Sequence, residues 1–513
     1  MEFLPRLHHT AMVFVDYLVA GLVIGLLIGS IVFLYMYLFD RFQTNHTIRR
    51  NYPVIGRFRY LFEHFGEFFR QYFFAMDREE LPFNRADRSW IYRAAKNVDR
   101  TVAFGSTRSL TPAGEVLFLN SPFPLADTKV PSHSVKSIGE GYVAYPYKAT
   151  SIFNVSGMSY GALSKPAIKA IANGAKAAGV WMNTGEGGLS KYHLKSGCDI
   201  VFQLGTAKYG VRTETGELDE LKLAAIAEHS NVKMFEIKLS QGAKPGKGGV
   251  LPGEKVTAEI AGIRGIQEGE SSISPNSHVE IQSVGELLDF IHRVRSVVQK
   301  PVGIKFVVGC YEWLDDLCQE ILVRGEKSAP DFMTVDSADG GTGAAPQTLM
   351  DYVGLPLNRS LPIVVEKLTK YGLRDRVRVI CSGKMVTPAG VAWALCIGAD
   401  FVVSARGFMF AIGCIQALQC NKNTCPTGIT THNKKLQRGL DWQDKAVRVS
   451  EYVKNLEKEL AMVAHSCGVV DPRLLKRKHA HIVVDPRTTI PLTELYPVIE
   501  VPEEKIKIVD SQH

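Results

Sequence analysis

The chain has 513 residues, 46% hydrophobic and 22% charged, with a net charge of +8. That length can hold one large α/β barrel with accessories, and so mild a charge, partly beside an apolar segment, makes nucleic acid a poor partner. Nine cysteines, an odd number scattered singly outside one group, argue against a secreted disulfide framework and for a reducing compartment.

Tyr17 to Phe39 is a run of 23 residues without a charge, enough to cross a bilayer with some tilt. Asp16 lies at its edge. Arg41, Arg49, Arg50, Arg57 and Arg59 follow, whereas Arg6 is the one permanent cation before it. The positive-inside rule therefore predicts a single-pass anchor in the inner (cytoplasmic) membrane, with the N-terminus outside and the body in the cytoplasm. The run is too long for a cleaved signal peptide and lacks a clear small-residue cleavage site. Gly21, Gly25 and Gly29, four apart, offer a seam for a homo-oligomer, or reflect only the abundance of glycine in membrane helices. Phe58, Tyr60, Phe62, Phe65, Phe68, Phe69, Tyr72, Phe73 and Phe74 crowd the next stretch, with Arg57, Arg59 and Arg70 between them. It reads as a helix packed against the barrel, with a helix lying on the membrane as the alternative. Residues 100–148, rich in Pro, Gly and Ser, read as an extended approach.

From about Ser151 to Gln416 apolar strand-like runs alternate with helical patterns, which implies a parallel sheet with crossover helices. The expected strands are Ser151–Val155, Val180–Asn183, Ile200–Leu204, Lys233–Lys238, Val302–Val307, Phe332–Val335, Val377–Cys381 and Phe401–Ser404. Eight strands make a closed (β/α)8 TIM barrel. Ser283 and Glu286 form a capping box before the apolar face of Val284, Leu287, Leu288, Ile291 and Val294. The expected organisation is an anchor at 1–45, a lead-in at 46–148, the barrel at 149–440, and a C-terminal helix and tail at 441–513.

Barrel chemistry sits at the strands' C-terminal ends. After the first strand stands "SGMSYGALSK", with Gly157, Met158 and Ser159, where Gly157 and Gly161 permit close backbone approach to a planar ligand. After the second, "NTGEGG" surrounds one carboxylate, Glu186, with Gly185, Gly187 and Gly188. Gln203 ends the third. "KLSQGAKPGKGGVLPGEKV" follows the fourth; Gln241, Lys244 and, just beyond, Arg264 suit a dicarboxylate, or are an ordinary solvated face. Lys305, inside an otherwise apolar strand, needs a partner or a shifted pKa. "DSADGGTGAAP", with Asp336, Asp339, Gly340, Gly341 and Gly343, reads as a pocket wall. Ser382-Gly383-Lys384, a helix opened by Thr387 and Pro388, and Arg406-Gly407 form the paired turns with which the last two units of such a barrel cradle a phosphate. Cys414, Cys420 and Cys425 come next, with five and four residues between them. They suit an iron–sulfur cluster, or are three unrelated thiols.

"CNKNTCPTGITT" behind that phosphate turn resembles the flavin domain of the glutamate synthase family. "GMSYGALS", "NTGEGG", "QGAKPGKGG" and "ADGGTGA" stand in the same order across roughly Ser151–Leu440. "RQYFFAMDREELPFNRADRSWIYRAAK" resembles the lead-in of its short, stand-alone members. The resemblance implies FMN, a 3Fe–4S cluster on Cys414, Cys420 and Cys425, and reduction of 2-iminoglutarate, made from 2-oxoglutarate and ammonia, to L-glutamate. It implies that Gln241, Lys244 and Arg264 hold 2-oxoglutarate, and that Glu186 and Lys244 are catalytic, with Glu186 near the ammonia entry. FMN would lie against Gly157, Met158, Ser159, Gly340 and Gly341, with its phosphate at Ser382, Gly383, Lys384, Arg406 and Gly407. Lys305 would face the N1–C2 carbonyl edge. Gln203 would meet the pyrimidine edge, or be a buried, satisfied glutamine. A membrane helix stands where full-length enzymes carry a glutaminase domain, and no NAD(P)H-binding domain is apparent. Ammonia and electrons are therefore expected from outside, the latter from a ferredoxin or an NAD(P)H-oxidising partner. Alternatives are an N-methylglutamate synthase-type substrate, an FMN-dependent 2-hydroxy-acid oxidase, or a non-catalytic membrane-tethered flavoprotein. The oxidase wants a late-strand histidine base, and no histidine lies between His292 and His432.

Overall fold

The structure, a computed structural model, describes residues 3–125 and 134–497. The expected tail from 498 onward, residues 126–133 of the approach segment, and the side chains of Arg6 and Phe68 lie outside what is described. Two compact units emerge, Met1–Asn84 and Arg85–His513.

In the second unit eight parallel strands close into a barrel. They are β1 Phe153–Val155, β2 Met182–Asn183, β3 Ile200–Leu204, β4 Val232–Lys238, β5 Val302–Val307, β6 Phe332–Asp336, β7 Arg378–Ser382 and β8 Phe401–Ser404. β8 pairs with β1 to complete the ring. Every expected strand is present, with ends displaced by no more than two residues. Among its helices are α1 Lys165–Ala178, α2 Lys191–Leu194, α3 Glu220–Glu228, α4 Val284–Val298, α5 Glu312–Arg324, α6 Leu357–Lys370, α7 Pro388–Ile397 and α8 Trp442–Ser466.

Helix starts follow their caps. Thr387 accepts from Gly390 N–H at the head of α7, with Pro388 at the first helical position. The capping box at α4 is changed in one bond. Ser283 Oγ accepts from Glu286 N–H, but the Glu286 carboxylate accepts the N–H of Gln282 at 2.7 Å. α8, the helix expected after 440, packs against α1 and α7. Its Tyr452 meets Phe153 of β1 edge to face, ring centroids 5.7 Å apart. The approach is close because residue 174 on α1 is glycine: a Cβ there would lie 2.4 Å from Val449 Cβ on α8.

The approach segment is not wholly extended. Lys136–Ile138 and Tyr147–Ala149 pair as an antiparallel hairpin. Its Ile138, Tyr147 and Ala149 join Trp181, Val201, Met234, Phe332, Ile380 and Phe401 in one buried cluster, sealing the N-terminal end of the barrel. Each such large side chain contributes about 1.5–3 kcal/mol by leaving water. Side chains alternate along a strand, so the inward row continues upward from this floor. Above Val201 stands Gln203, above Met234 stand Glu236 and Lys238, and above Phe332 stand Thr334 and Asp336. The barrel interior is thus apolar below and charged at the mouth.

In the first unit one helix runs Phe3–Phe42, and its His8–Phe42 portion is long and apolar enough to cross a membrane. The helix Gly56–Phe69 continues through a π-turn, Arg70–Phe74. Within this unit Phe58, Phe62, Phe65, Phe69, Tyr72, Phe73 and Phe74 are exposed, and Tyr60 is half-buried.

Candidate active site

At the mouth, Glu186 is held by what surrounds it. Lys238, the last residue of β4, reaches Glu186 Oε2 at 3.0 Å and also donates to Gln241 Oε1. Gln241 in turn donates to Thr342 Oγ1 in the "DGGTGA" loop at 3.2 Å. The carboxylate is wedged against two glycines; a Cβ on Gly249 would lie 2.0 Å from Glu186 Oε1, and one on Gly205 2.7 Å from its Cβ. Burial opposes ionisation of Glu186, but Lys238, Lys244 and Arg264 outweigh it and hold the carboxyl below its usual range.

Lys244 is buried, and burial together with Lys238 pulls its ammonium down to about 8, Glu186 opposing. Arg264, also buried, donates from Nη1 to Ser272 Oγ at 2.9 Å and stacks over Tyr209 at 5.0 Å. Its Nη2 presses on the first two loops, 3.1 and 3.0 Å from where a Cβ would sit on Gly161 and Gly187, and its Nε has no hydrogen-bond partner. Three cations therefore converge on one carboxylate. That local excess of positive charge, with an unsatisfied guanidinium N–H, fits a small anion of more than one carboxylate.

One layer below, Glu236 is buried and accepts from Asn183 Nδ2 (2.8 Å), Gln203 Nε2 (2.6 Å) and Thr334 Oγ1 (2.7 Å). Gln203 is thus a buried glutamine whose nitrogen is engaged, which leaves its carbonyl oxygen as an acceptor. Gly157 lies over this layer, a Cβ there being 3.1 Å from both Asn183 Oδ1 and Gln203 Nε2. Met158 donates its N–H to Asn183 O (3.3 Å), and Ser159 packs against Gly185, so the first two loops form one surface. Lys305, paired in register with Lys238, finds its partner in Asp336 Oδ2 at 3.3 Å. Burial works against its charge, but Asp336, Glu236 and Glu186 raise its pKa above the ordinary lysine value.

The two glycine turns meet on β7 and β8. Gly383 has φ +134°, and a Cβ there would lie 2.2 Å from Ser337 Cβ, so only glycine fits. Lys384 pairs with Asp339 at 2.7 Å. Gly341 lies flat against Arg406, a Cβ there meeting Nε at 3.0 Å; burial lowers the pKa of Arg406, with Asp339 and Asp336 opposing. Gly407 gives its N–H to Ser404 Oγ (3.2 Å), and Tyr452 OH on α8 stands where its Cβ would be, at 2.4 Å. Gly340 packs on Ser337 O at 2.7 Å by the same measure.

Cys414, Cys420 and Cys425 share one loop, near enough to feel one another's charge. Burial pushes Cys414 up to about 12 and also raises Cys420. Cys425 is lowered: burial opposes, but hydrogen bonds from Thr427 and Thr430 prevail. Among the described residues no three His, Cys, Asp or Glu side chains form a group that could hold a metal ion. The three sulfurs nonetheless sit on one loop, with Gln416 N–H on Cys414 Sγ (3.5 Å) and Lys255 Nζ on the carbonyls of Cys420 and Thr430 (2.6 and 2.5 Å). Tyr92 OH, from the lead-in helix Arg85–Ala95, donates to Cys414 O at 2.6 Å.

Residues 121–470 match the conserved region in glutamate synthase. The chain belongs to the glutamate synthase family. It is 40% identical over 487 residues to the glutamate synthase large subunit-like protein YerD of Bacillus subtilis, covering 88% of this chain and 92% of that one. It is 35% identical over 317 residues to the archaeal glutamate synthase [NADPH] of Methanocaldococcus jannaschii, covering 61% of this chain but 58% of that protein. Of the glutamate synthase [NADPH] large chain of Bacillus subtilis it spans 18%, at 32% identity. Solved structures similar to it include a mandelate oxidase (14% identity, 77% of this chain and 92% of that, TM-score 0.43) and a flavocytochrome b2 (15%, 87% and 91%, TM-score 0.45).

Within this family member the structure gathers Glu186, Gln241, Lys244 and Arg264 into one mouth, and Ser382–Lys384 with Arg406–Gly407 on neighbouring strands. Sequence reading missed Lys238, Glu236 and Asn183. The signal for Lys238 was the one used for Lys305, a lysine in an otherwise mostly apolar strand. His278 was missed too; it is buried, held at 3.0 Å to Lys238 O through Nε2, and burial lowers its pKa to about 4.

Proposed function

We propose that the chain is a membrane-anchored, FMN-dependent glutamate synthase-type oxidoreductase that converts 2-oxoglutarate and ammonia, through 2-iminoglutarate, to L-glutamate. The observation that carries this reading is the convergence of Lys238, Lys244 and Arg264 on Glu186. FMN, when bound, supplies the hydride that the imine carbon receives. Its phosphate would be held by the turns at Ser382–Lys384 and Arg406–Gly407, and its pyrimidine edge by Gln203 and Lys305, with Gly340 and Gly341 as the wall. A three-iron cluster on Cys414, Cys420 and Cys425 would pass electrons from an external donor.

The chain's own residues then divide the work. Arg264 and Lys244 neutralise the two carboxylates of 2-oxoglutarate, and Gln241, fixed by Lys238, orients it. Ammonia adds to the C2 carbonyl and water leaves; Glu186, ionised, can take the proton that ammonia sheds. Lys244, weakened to about 8, can return a proton to the nitrogen as hydride reaches C2. The helix Phe3–Phe42 would anchor this body to the cytoplasmic face of the inner membrane.

The test is anaerobic reduction of the purified protein, followed by 2-oxoglutarate with either ammonium or methylamine. Flavin reoxidation with formation of glutamate is expected with ammonium. Reoxidation with methylamine alone would move the assignment to N-methylglutamate, and no reoxidation with either would end it.

A further inference from the structure

The aromatic stretch after the anchor folds into a helix with two faces. Phe58, Leu61, Phe62, Phe65, Phe69 and Phe73 recur at three- and four-residue steps, which places them on one side. All six are exposed; Phe62 retains 65% and Phe73 73% of its accessible surface. They are ordered among themselves: ring centroids lie 6.4 Å apart for Phe58–Phe62, 6.0 Å for Phe65–Phe69 and 5.6 Å for Phe69–Phe73. Elsewhere on the helix Arg59 pairs with Glu63 at 3.1 Å. A stripe of this size left in water would be a liability, so something covers it.

The connection to the anchor says what. Asp40, fully buried at the end of the long helix, accepts from Arg49 Nη2 (2.6 Å), Arg57 Nε (2.7 Å) and the N–H of Val54 (3.0 Å). This knot ties the last turn of the apolar helix to the start of the aromatic one. Gly56 makes it tight, since a Cβ there would meet Ile48 O at 3.0 Å. The stripe therefore begins where the anchor leaves the bilayer. Arg41, Arg50 and Arg59 are exposed around the same elbow, complementary to anionic headgroups.

We infer that the aromatic helix Gly56–Phe74 lies in the lipid interface, its stripe inserted at headgroup depth among phospholipids of the leaflet into which the anchor emerges. This rests on the long helix being a membrane anchor. The knot at Asp40 would set the angle between the two, and the stripe would hold the chain close to the bilayer surface.

The test uses the full-length protein in vesicles of phosphatidylcholine with phosphatidylglycerol, carrying a photoreactive benzoyl-phenylalanine at position 62, 73, 63 or 27. Lipid adducts should form at 62 and 73 several-fold more than at 63, with Leu27 in the anchor as the reference. Adducts with protein at 62 or 73, whether a second copy or the rest of the chain, would overturn the inference. So would labelling at 62 no higher than at 63 while 27 labels well. Silence at 27 itself would instead remove the anchor on which the inference rests.

Discussion

Glu236 is the sharpest place to perturb the interior, because one buried carboxylate satisfies three donors on three strands. In Glu236→Leu the amides of Asn183 and Gln203 lose their acceptor, while the Thr334 hydroxyl can turn elsewhere. Each stranded buried donor costs ~1–3 kcal/mol, and removing the buried carboxylate returns part of that as relief of its own desolvation. A net loss of about 2–4 kcal/mol of stability follows. Glu236→Gln differs in kind. Its carbonyl oxygen can still accept from Asn183 and Gln203, and its amide can donate to Thr334 Oγ1, so the stability cost should stay within about 1 kcal/mol. The function should separate in the same way. Gln203 presents its carbonyl because Glu236 holds its nitrogen, so the leucine variant should bind FMN weakly and the glutamine variant nearly as the parent. Chemical denaturation followed by circular dichroism, with FMN titrated against flavin fluorescence, reads both. If the glutamine variant were as unstable as the leucine variant, or if leucine cost nothing, the account of Glu236 as a shared acceptor would be wrong.

Lys244→Ala or Arg264→Ala should weaken 2-oxoglutarate binding by about 2–5 kcal/mol, by stranding a buried carboxylate, with FMN content unchanged; equal reoxidation by 2-oxoglutarate in both would refute the clamp. Because the free-enzyme pKa of Lys244 is about 8, kcat/KM for 2-oxoglutarate should fall as pH rises through that value, and Lys244→Arg should remove that limb. Its sign in stability is opposite: the buried ammonium costs stability below about 8, and that cost fades as pH climbs toward the ordinary lysine range. Glu186, depressed by Lys238, Lys244 and Arg264, contributes stability above the ordinary carboxylate range that is lost as pH falls through its lowered pKa; Lys238→Met should move that loss to higher pH in acid titrations. Serine at Cys414, Cys420 or Cys425 should each abolish iron and sulfide content and the paramagnetic signal of the oxidised protein; iron-free protein with full flavin would remove the electron relay. Gly25→Ile should lower the signal of a membrane-helix dimerisation reporter fused to residues 1–45, since among the described residues nothing lies within 4 Å of where a Cβ would sit on Gly21, Gly25 or Gly29; an unchanged signal would show that it is not a seam.

The barrel was legible because its signal is local. A buried strand is a short apolar run, a glycine turn marks its end, and the next helix announces itself with a cap such as Thr387-Pro388. The same locality exposed Glu186 in "NTGEGG", Gly383 and the three cysteines. Reading failed where a residue's meaning depends on its neighbour in register. Glu236 is one residue of an apolar-looking strand until β3 and β6 bring Gln203 and Thr334 alongside it. The lead-in helix had no assignable chemistry, yet its Tyr92 bonds the carbonyl of Cys414, 322 residues away.

Taken alone, the amino-acid sequence determined the family, the eight-stranded barrel and the loops that line its mouth, because apolar periodicity and glycine spacing act over a few residues. Closure of the barrel decided the rest. It set Lys238 beside Lys305 and Glu186, put a carboxylate under Gln203 and Asn183, and gave Gly407 to the packing of Tyr452. Those pairings are set by strand register and inter-helix distance, which depend on the whole ring of contacts and so are written in no single stretch of chain.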